Sequence, residues 1–158
     1  MGSQDPVIDS VTKAFYEKGW HGINIEPTKK YYPKIEVDRP RDINLKLLIS
    51  NKIGIEKFYE VEGGLSTTIK KYAQKYKKEK INVEKSTIKS LTLDKIIENN
   101  NVKNIHFLKI DVEGAEKKVL QGFSFKKVRP WVILVESIAP MSFENKIKDT
   151  SHKWEFLL

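Results

Sequence analysis

Apolar residues along the chain form near-continuous runs that predict buried strands, one alternating stretch, and repeats at helical spacing. The runs predict strands over 22–26, 42–50, 105–111 and 131–136, and the alternating stretch predicts a strand over 82–89. A further strand is predicted over 56–61, after Gly54. Helical spacing predicts helices over 9–18, 65–78, 92–98 and 113–122, and more weakly over 29–37, where Pro33 interrupts the pattern. Residues 140–158 fit neither pattern clearly.

The order of these elements indicates the fold class. Helices alternate with strands, and several strands are apolar along their whole length instead of on one face. This combination is typical of an α/β protein whose mostly parallel sheet is covered by helices on both faces. No internal repeat or linker divides the sequence, so residues 1–158 are predicted to form a single domain. Ligands of such sheets bind at the carboxyl ends of the strands.

Composition and charge narrow the classes of partner. The net charge is +8, and many of the lysines lie in the segment 70–80. A basic run with tyrosines could follow a phosphate backbone, but a solvated helix is the commoner explanation, and no nucleic-acid-binding signature accompanies the run. No apolar run is long enough to span a membrane. The lack of cysteine fits a reducing compartment, so a cytoplasmic location is expected.

Two predicted strands end in a carboxylate at the same edge of the sheet. Glu26 ends the first, and it could accept hydrogen bonds from a ribose diol or simply cap the next helix. Asp111 ends the fifth, with Glu113 two residues later. These acids could favour a helix N-terminus, or they could be catalytic and deprotonate a hydroxyl group. His21 and His106 are isolated, so no metal site is predicted.

Several motifs in a fixed order then resemble one family. They are Phe15-Tyr-Glu-Lys-Gly-Trp-His-Gly-Ile-Asn-Ile-Glu-Pro27, Arg39-Pro-Arg-Asp-Ile-Asn-Leu45, Phe58-Tyr-Glu-Val61, Gly64-Leu-Ser-Thr67, Lys109-Ile-Asp-Val-Glu-Gly-Ala-Glu116, Val119-Leu-Gln-Gly122, Arg129-Pro-Trp131 and Val135-Glu136. In this order they resemble the FkbM family of S-adenosylmethionine-dependent methyltransferases. The resemblance covers roughly residues 7 to 140.

The resemblance implies a class I, Rossmann-like methyltransferase fold and methyl transfer from S-adenosylmethionine to a hydroxyl of a sugar, glycan or secondary metabolite. Glu26 would bind the ribose and Ser50 would lie beside the adenine. Asp111 would face the sulfonium, with Asp111 and Glu113 as the catalytic pair. Ser66 would contact the acceptor.

This sequence departs from the family pattern at the first strand and at the glycine turn that follows it. Gly2-Ser-Gln-Asp-Pro6 resembles the remains of the turn, so Gly2 and Asp5 are expected to contact the cofactor, although residues 1–6 could derive in part from an expression tag. The strand before the turn is missing, which predicts exposed sheet edges that self-association would cover. A fragment that acts as a non-catalytic scaffold is the alternative function.

Overall fold

The computed structural model describes residues 1–137 and 153–157. The helices are α1 (Lys13–Glu17), α2 (Tyr32–Asp38), α3 (Lys70–Lys78), α4 (Leu93–Asn99) and α5 (Glu116–Gln121), with a 3-10 turn at Glu62–Gly64. The strands are β1 (Ile23–Ile25), β2 (Ile43–Leu45), β3 (Leu48–Ile49), β4 (Gly54–Val61), β5 (Val83–Leu91), β6 (Phe107–Ile110), β7 (Val132–Ser137) and β8 (Lys153–Leu157). Within the described residues, no helix combines the length and apolar character needed to cross a bilayer.

The strands form three small sheets. In the first, β1 pairs with β2 in parallel. In the second, β5 lies between β3, which is parallel to it, and β4, which is antiparallel. In the third, β7 lies between the parallel β6 and the antiparallel β8. The prediction of a mixed α/β protein is confirmed, whereas the single class I sheet stays a prediction because the described strands do not join into one.

The antiparallel pairing of β4 with β5 is the largest departure from the predicted parallel sheet. It runs from Gly54 opposite Ser90 to Val61 opposite Val83, and α3 lies between the two strands in sequence. Burial alternates along much of both strands, as in an antiparallel pair with one face toward solvent. Both strands were predicted, but their pairing was not.

Local backbone geometry corrects several predicted boundaries. The strand predicted over 42–50 is two strands, because β2 pairs with β1 whereas β3 pairs with β5. The first helix begins at Lys13 instead of Asp9, whose φ is +55°. The weakly predicted helix forms as α2, since Pro33 lies in its first turn, where a missing N–H costs little. The tail from 138 to 152 lies outside the described residues.

The main core lies between β6, β7, α4 and α5. Ile110 on β6 and Val119 on α5 are fully buried, and Ile96 on α4 and Val135 on β7 are nearly so. These side chains fix the end of β6 relative to α5. The loop between them, residues 111–115, is therefore held on a rigid base.

A gap separates β1 from β6. Among the described residues, no strand pairs with the second edge of either one. A cavity of about 710 Å³ opens between them, and its interior is lined by apolar side chains that include Phe15, Ile23, Ile97, Phe107 and Leu108. A volume of this size lies in the range typical of sites for small molecules.

Candidate functional site

The amino-terminal residues bridge the gap at the carboxyl ends of β1 and β6. The Gly2 backbone N–H donates to the Ile25 carbonyl at 3.0 Å, and the terminal amine of Met1 donates to the Lys109 carbonyl at 3.1 Å. Gly2 has φ +61°, and a Cβ there would overlap the carbonyl oxygen of Asp111. Glycine is therefore required at this position by close backbone packing.

Three buried carboxylates meet beside this segment. One oxygen from each of Asp111, Glu113 and Glu136 lies within 4.8 Å of the others. The three residues are only 8%, 7% and 3% exposed, and all three line the large cavity. The Lys109 ammonium donates to Asp111 Oδ2 at 2.7 Å, whereas Asp111 Oδ1 is buried with no hydrogen-bond partner in the described part of the chain. The cluster thus offers negative charge to whatever occupies the cavity.

Glu113 holds its place in the cluster through an unusual backbone. Its φ is +52° and that of Gly114 is +95°, so the chain turns sharply and the helix predicted from residue 113 begins only at Glu116. Thr67 Oγ1 donates to the Glu113 carbonyl at 2.7 Å. The Glu116 carboxylate accepts from the backbone N–H groups of Val112 and Gly114. These contacts stabilise a positive φ at Glu113, which residues other than glycine rarely adopt.

Burial and like charge change the acidity of Glu113. Desolvation is the main cause that raises the pKa of Glu113 from 4.5 to about 7, and the charges of Asp111 and Glu116 add to it, while Lys109 opposes it. Near neutral pH this carboxyl can therefore either hold or release a proton. A group of this kind facing a cavity is a candidate for proton transfer or cation binding.

Thr67→Val is expected to destabilise the protein by about 1–2 kcal/mol, because it leaves the buried Glu113 carbonyl and the Ile69 backbone N–H without their partner. Thr68→Val is the matched control, since Thr68 Oγ1 is already buried without a hydrogen bond among the described residues. That change should be neutral or slightly stabilising. Urea denaturation of both variants measures the difference, and equal losses would contradict the role given to Thr67.

Glu26 is also buried at a strand end, but its oxygens already have partners. Its Oε1 accepts from the Thr28 backbone N–H at 3.1 Å and hydroxyl at 2.7 Å, and its Oε2 accepts from the Gln4 backbone N–H at 2.9 Å. A second cavity of about 50 Å³ adjoins Glu26. Gln4, Asp111 and Glu113 line both cavities, so Glu26 lies next to the carboxylate cluster but not inside the larger space.

Two predicted cofactor residues are not brought to either cavity. Asp5 pairs with Lys34 at 2.7 Å, and this hydrogen bond, with those from two backbone N–H groups, lowers the pKa of Asp5 to about 2. Ser50 is buried at the end of β3, where its carbonyl lies so close to Gly122 that a Cβ there would overlap it. Asp5 stabilises the turn that contains Val7 and Ile8, whereas Ser50 packs against Gly122. The roles of both residues toward a cofactor stay predictions.

Ser66, the predicted acceptor contact, lines the small cavity. Its hydroxyl accepts from the Val61 backbone N–H at 2.9 Å and donates to the Val61 carbonyl at 3.2 Å. The side chain therefore closes the turn after β4. Its role toward an acceptor likewise stays a prediction.

Sequence reasoning missed two members of the site. Glu136 follows the apolar run of β7, which is parallel to β6, so the rule that selected Asp111 also applied to it. Lys109 lies two residues before Asp111, and the alternation of a strand places both side chains on one face. The sequence signal was therefore an acidic residue near the end of each apolar strand. Lys109, two residues before Asp111, lies on the same face of its strand.

The whole sequence matches one protein family. The pattern of the methyltransferase FkbM domain matches residues 1–158. No curated protein and no solved structure matches the chain significantly. The family match includes the two strands that end in Glu26 and Asp111. This chain belongs to the FkbM methyltransferase family.

Proposed function

We propose that this protein transfers a methyl group from S-adenosylmethionine to a hydroxyl oxygen of a small molecule or glycan. One observation carries the proposal. In a chain of a methyltransferase family, a buried Asp111 oxygen without a hydrogen-bond partner lies at the wall of a cavity of about 710 Å³. A carboxylate in this position can accept the proton that a hydroxyl group loses as its oxygen is methylated.

The described residues fit the proposed cofactor in two respects. A sulfonium cation would be stabilised by the negative charge of Asp111, Glu113 and Glu136. A carboxylate has about four acceptor positions, and Glu26 uses three, so one remains for a ribose hydroxyl. Bound S-adenosylmethionine would supply an electrophilic methyl group. A second bond from the ribose would require the Gln4 backbone to move away from Glu26.

The protein's own residues would position the acceptor and remove its proton. Lys109 holds Asp111 Oδ2, which leaves Oδ1 directed away from that ion pair. Asp111 Oδ1 would then accept the hydroxyl proton and become neutral as the oxygen takes the methyl group, and Glu113 could take up that proton in turn. Because the cluster is buried, a proton transfer there is screened little by water. Ser66 is the proposed acceptor contact, in the small cavity that Asp111 and Glu113 also line.

Calorimetric titration with S-adenosylmethionine and with its neutral product S-adenosylhomocysteine tests the proposal. Glu26→Gln should weaken both ligands equally, because both carry the same ribose. Asp111→Asn should weaken S-adenosylmethionine about tenfold, because only that ligand carries a sulfonium charge. It should leave S-adenosylhomocysteine nearly unchanged. If neither ligand releases heat with the unaltered protein at high micromolar concentration, cofactor binding is wrong.

A non-catalytic scaffold is the second candidate, and the occupied carboxylate of Glu26 favours it. In that function Glu26 only fixes the turn that contains Thr28 and the segment that contains Gln4. The unpaired edges of β1 and β6 would be covered by a second copy of the chain. A monomer in light scattering that also binds S-adenosylmethionine would exclude this function.

A further inference from the structure

The carboxylate cluster brings three acidic side chains together in a buried space. Asp111, Glu113 and Glu136 have oxygens within 4.8 Å of one another, and Lys109 is the basic side chain recorded against them in the described part of the chain. The terminal amine of Met1 also interacts with Asp111. Carboxylates this close repel one another strongly in a buried environment, and a bound cation would relieve that repulsion.

Two of the three acids have carboxylate oxygens that are available to bind a cation. Asp111 Oδ1 is buried and accepts no hydrogen bond, because Lys109 contacts the other oxygen. The Glu113 carboxylate has no hydrogen-bond or ion-pair partner among the described residues, although the residue is only 7% exposed. Both side chains point into the cluster. A buried polar group without a partner is costly, and a bound ion would remove that cost.

We propose that Asp111, Glu113 and Glu136 bind a divalent cation that prefers oxygen ligands, such as Mg²⁺, Mn²⁺ or Ca²⁺. Ligand oxygens lie about 2.1 Å from Mg²⁺ and about 2.3–2.6 Å from Ca²⁺, so two oxygens on one ion are at most roughly 4 to 5 Å apart. The three carboxylate oxygens lie within 4.8 Å of one another, so they are close enough to share one ion. The donor set contains only carboxylates, which suit these hard cations better than zinc or copper.

The position of the site gives the cation a role that rests on the proposed function. All three ligands line the cavity of about 710 Å³, so the ion would keep coordination positions open toward it. A hydroxyl oxygen of the acceptor could take one of these positions. Coordination would lower the pKa of a bound hydroxyl group, so its proton would pass more readily to a carboxylate oxygen of the cluster that does not hold the ion. The oxygen would then take the methyl group. The acceptor class would then be an alcohol or diol with oxygens able to reach a metal.

Calorimetric titration of the chelator-treated protein with Mn²⁺, at pH 8 and without any methyl donor, tests the metal site. The unaltered chain should bind one Mn²⁺ with a Kd below about 1 mM. Glu113→Gln and Glu136→Gln should each weaken binding about tenfold or more, because each removes a charged ligand. Glu98→Gln is the matched control, since Glu98 is an exposed acid on α4 that pairs with Lys95, and it should bind as the unaltered chain does.

Circular dichroism must first show that each variant is folded, and the two ligand variants test the site independently of each other. No Mn²⁺ binding by the unaltered chain up to about 10 mM would overturn the proposal. Equal binding by the unaltered chain and both ligand variants would also overturn it. Because no methyl donor is present, these results are separate from those of the S-adenosylmethionine titration, so either proposal can fail alone.

Discussion

An extension of five apolar β-branched residues before Met1 is expected to raise the free energy of unfolding by roughly 3–5 kcal/mol at pH 6. Met1 lines the cavity between β1 and β6, so residues joined to its amino group would enter that gap. There they would meet the edge of each strand that no other strand of residues 1–137 and 153–157 pairs with. Each apolar side chain buried in the gap contributes about 1.5–3 kcal/mol, against about 1–2 kcal/mol of backbone entropy per residue.

The buried amino terminus accounts for much of the expected gain. Desolvation is the main cause that lowers the pKa of the Met1 amine from 8.0 to about 5, and the charge of Lys109 adds to it. The folded state therefore disfavours the charged amine. The Met1 amine therefore does not affect the free energy of unfolding above pH 8. As the pH drops from 8 to 5, the free energy of unfolding falls, and below pH 5 the loss reaches about 4 kcal/mol. An extension replaces the amine by a peptide group and removes this loss.

Urea denaturation at pH 6 and pH 8.5 measures both contributions. The matched control is an extension of the same length made of glycine and serine, and mass spectrometry must confirm that Met1 is retained in the unextended chain. Both extensions should reduce the difference in stability between the two pH values. Only the apolar one should add stability at pH 8.5. If the two extensions give the same stability, the gap does not accept a strand.

The elements that position the site could be predicted because their patterns are local. The apolar runs of β6 and β7 and the spacing of Leu93, Ile96 and Ile97 on α4 each predict one conformation. The pairing of β4 with β5 could not be predicted, since strand periodicity does not reveal the partner of a strand. The division of 42–50 has the same cause, because its two halves join different sheets.

The site itself was predicted only in part. Asp111 and Glu26 follow apolar strands, so their positions at strand ends could be derived from the sequence. The contact of Glu26 with Gln4 could not be derived from the sequence, because Gln4 lies 22 residues away along the chain. It reaches Glu26 only through the fold of the amino-terminal segment. The left-handed backbone of Glu113 depends on a hydrogen bond from Thr67, 46 residues earlier in the chain. Contacts over such separations carry no local sequence signal.

Glu113→Gln is expected to stabilise the metal-free protein by about 2 kcal/mol at pH 8 and to have little effect at pH 4.5. The folded state raises the pKa of Glu113 to about 7, so stability associated with this group is present below pH 4.5 and is lost as the pH rises through 7. Glutamine is neutral at every pH and avoids the loss. The figure of about 2 kcal/mol allows for partial screening of the carboxyl by water.

The charged groups around Glu113 determine the sign of this effect. Negative or ionisable groups dominate on every side, since the nearby basic side chain recorded in the described residues is Lys109. The others are Asp111 on the same loop, Glu116 at the start of α5, Tyr76 on α3 and Glu136 on β7. Removing one negative charge therefore relieves repulsion. The exposed control Glu98→Gln should change stability by less than about 0.5 kcal/mol at either pH.

A divalent cation should reverse the order of stability. If the three carboxylates bind Mn²⁺, the unaltered chain gains about 2.7 kcal/mol at a concentration 100 times its Kd, whereas Glu113→Gln gains much less. The variant would then be the more stable protein in chelator and the less stable one in Mn²⁺. Thermal denaturation at pH 8 under both conditions detects the crossing. A variant that stays more stable by the same amount in both would show that repulsion in the cluster is relieved by protonation and not by a metal.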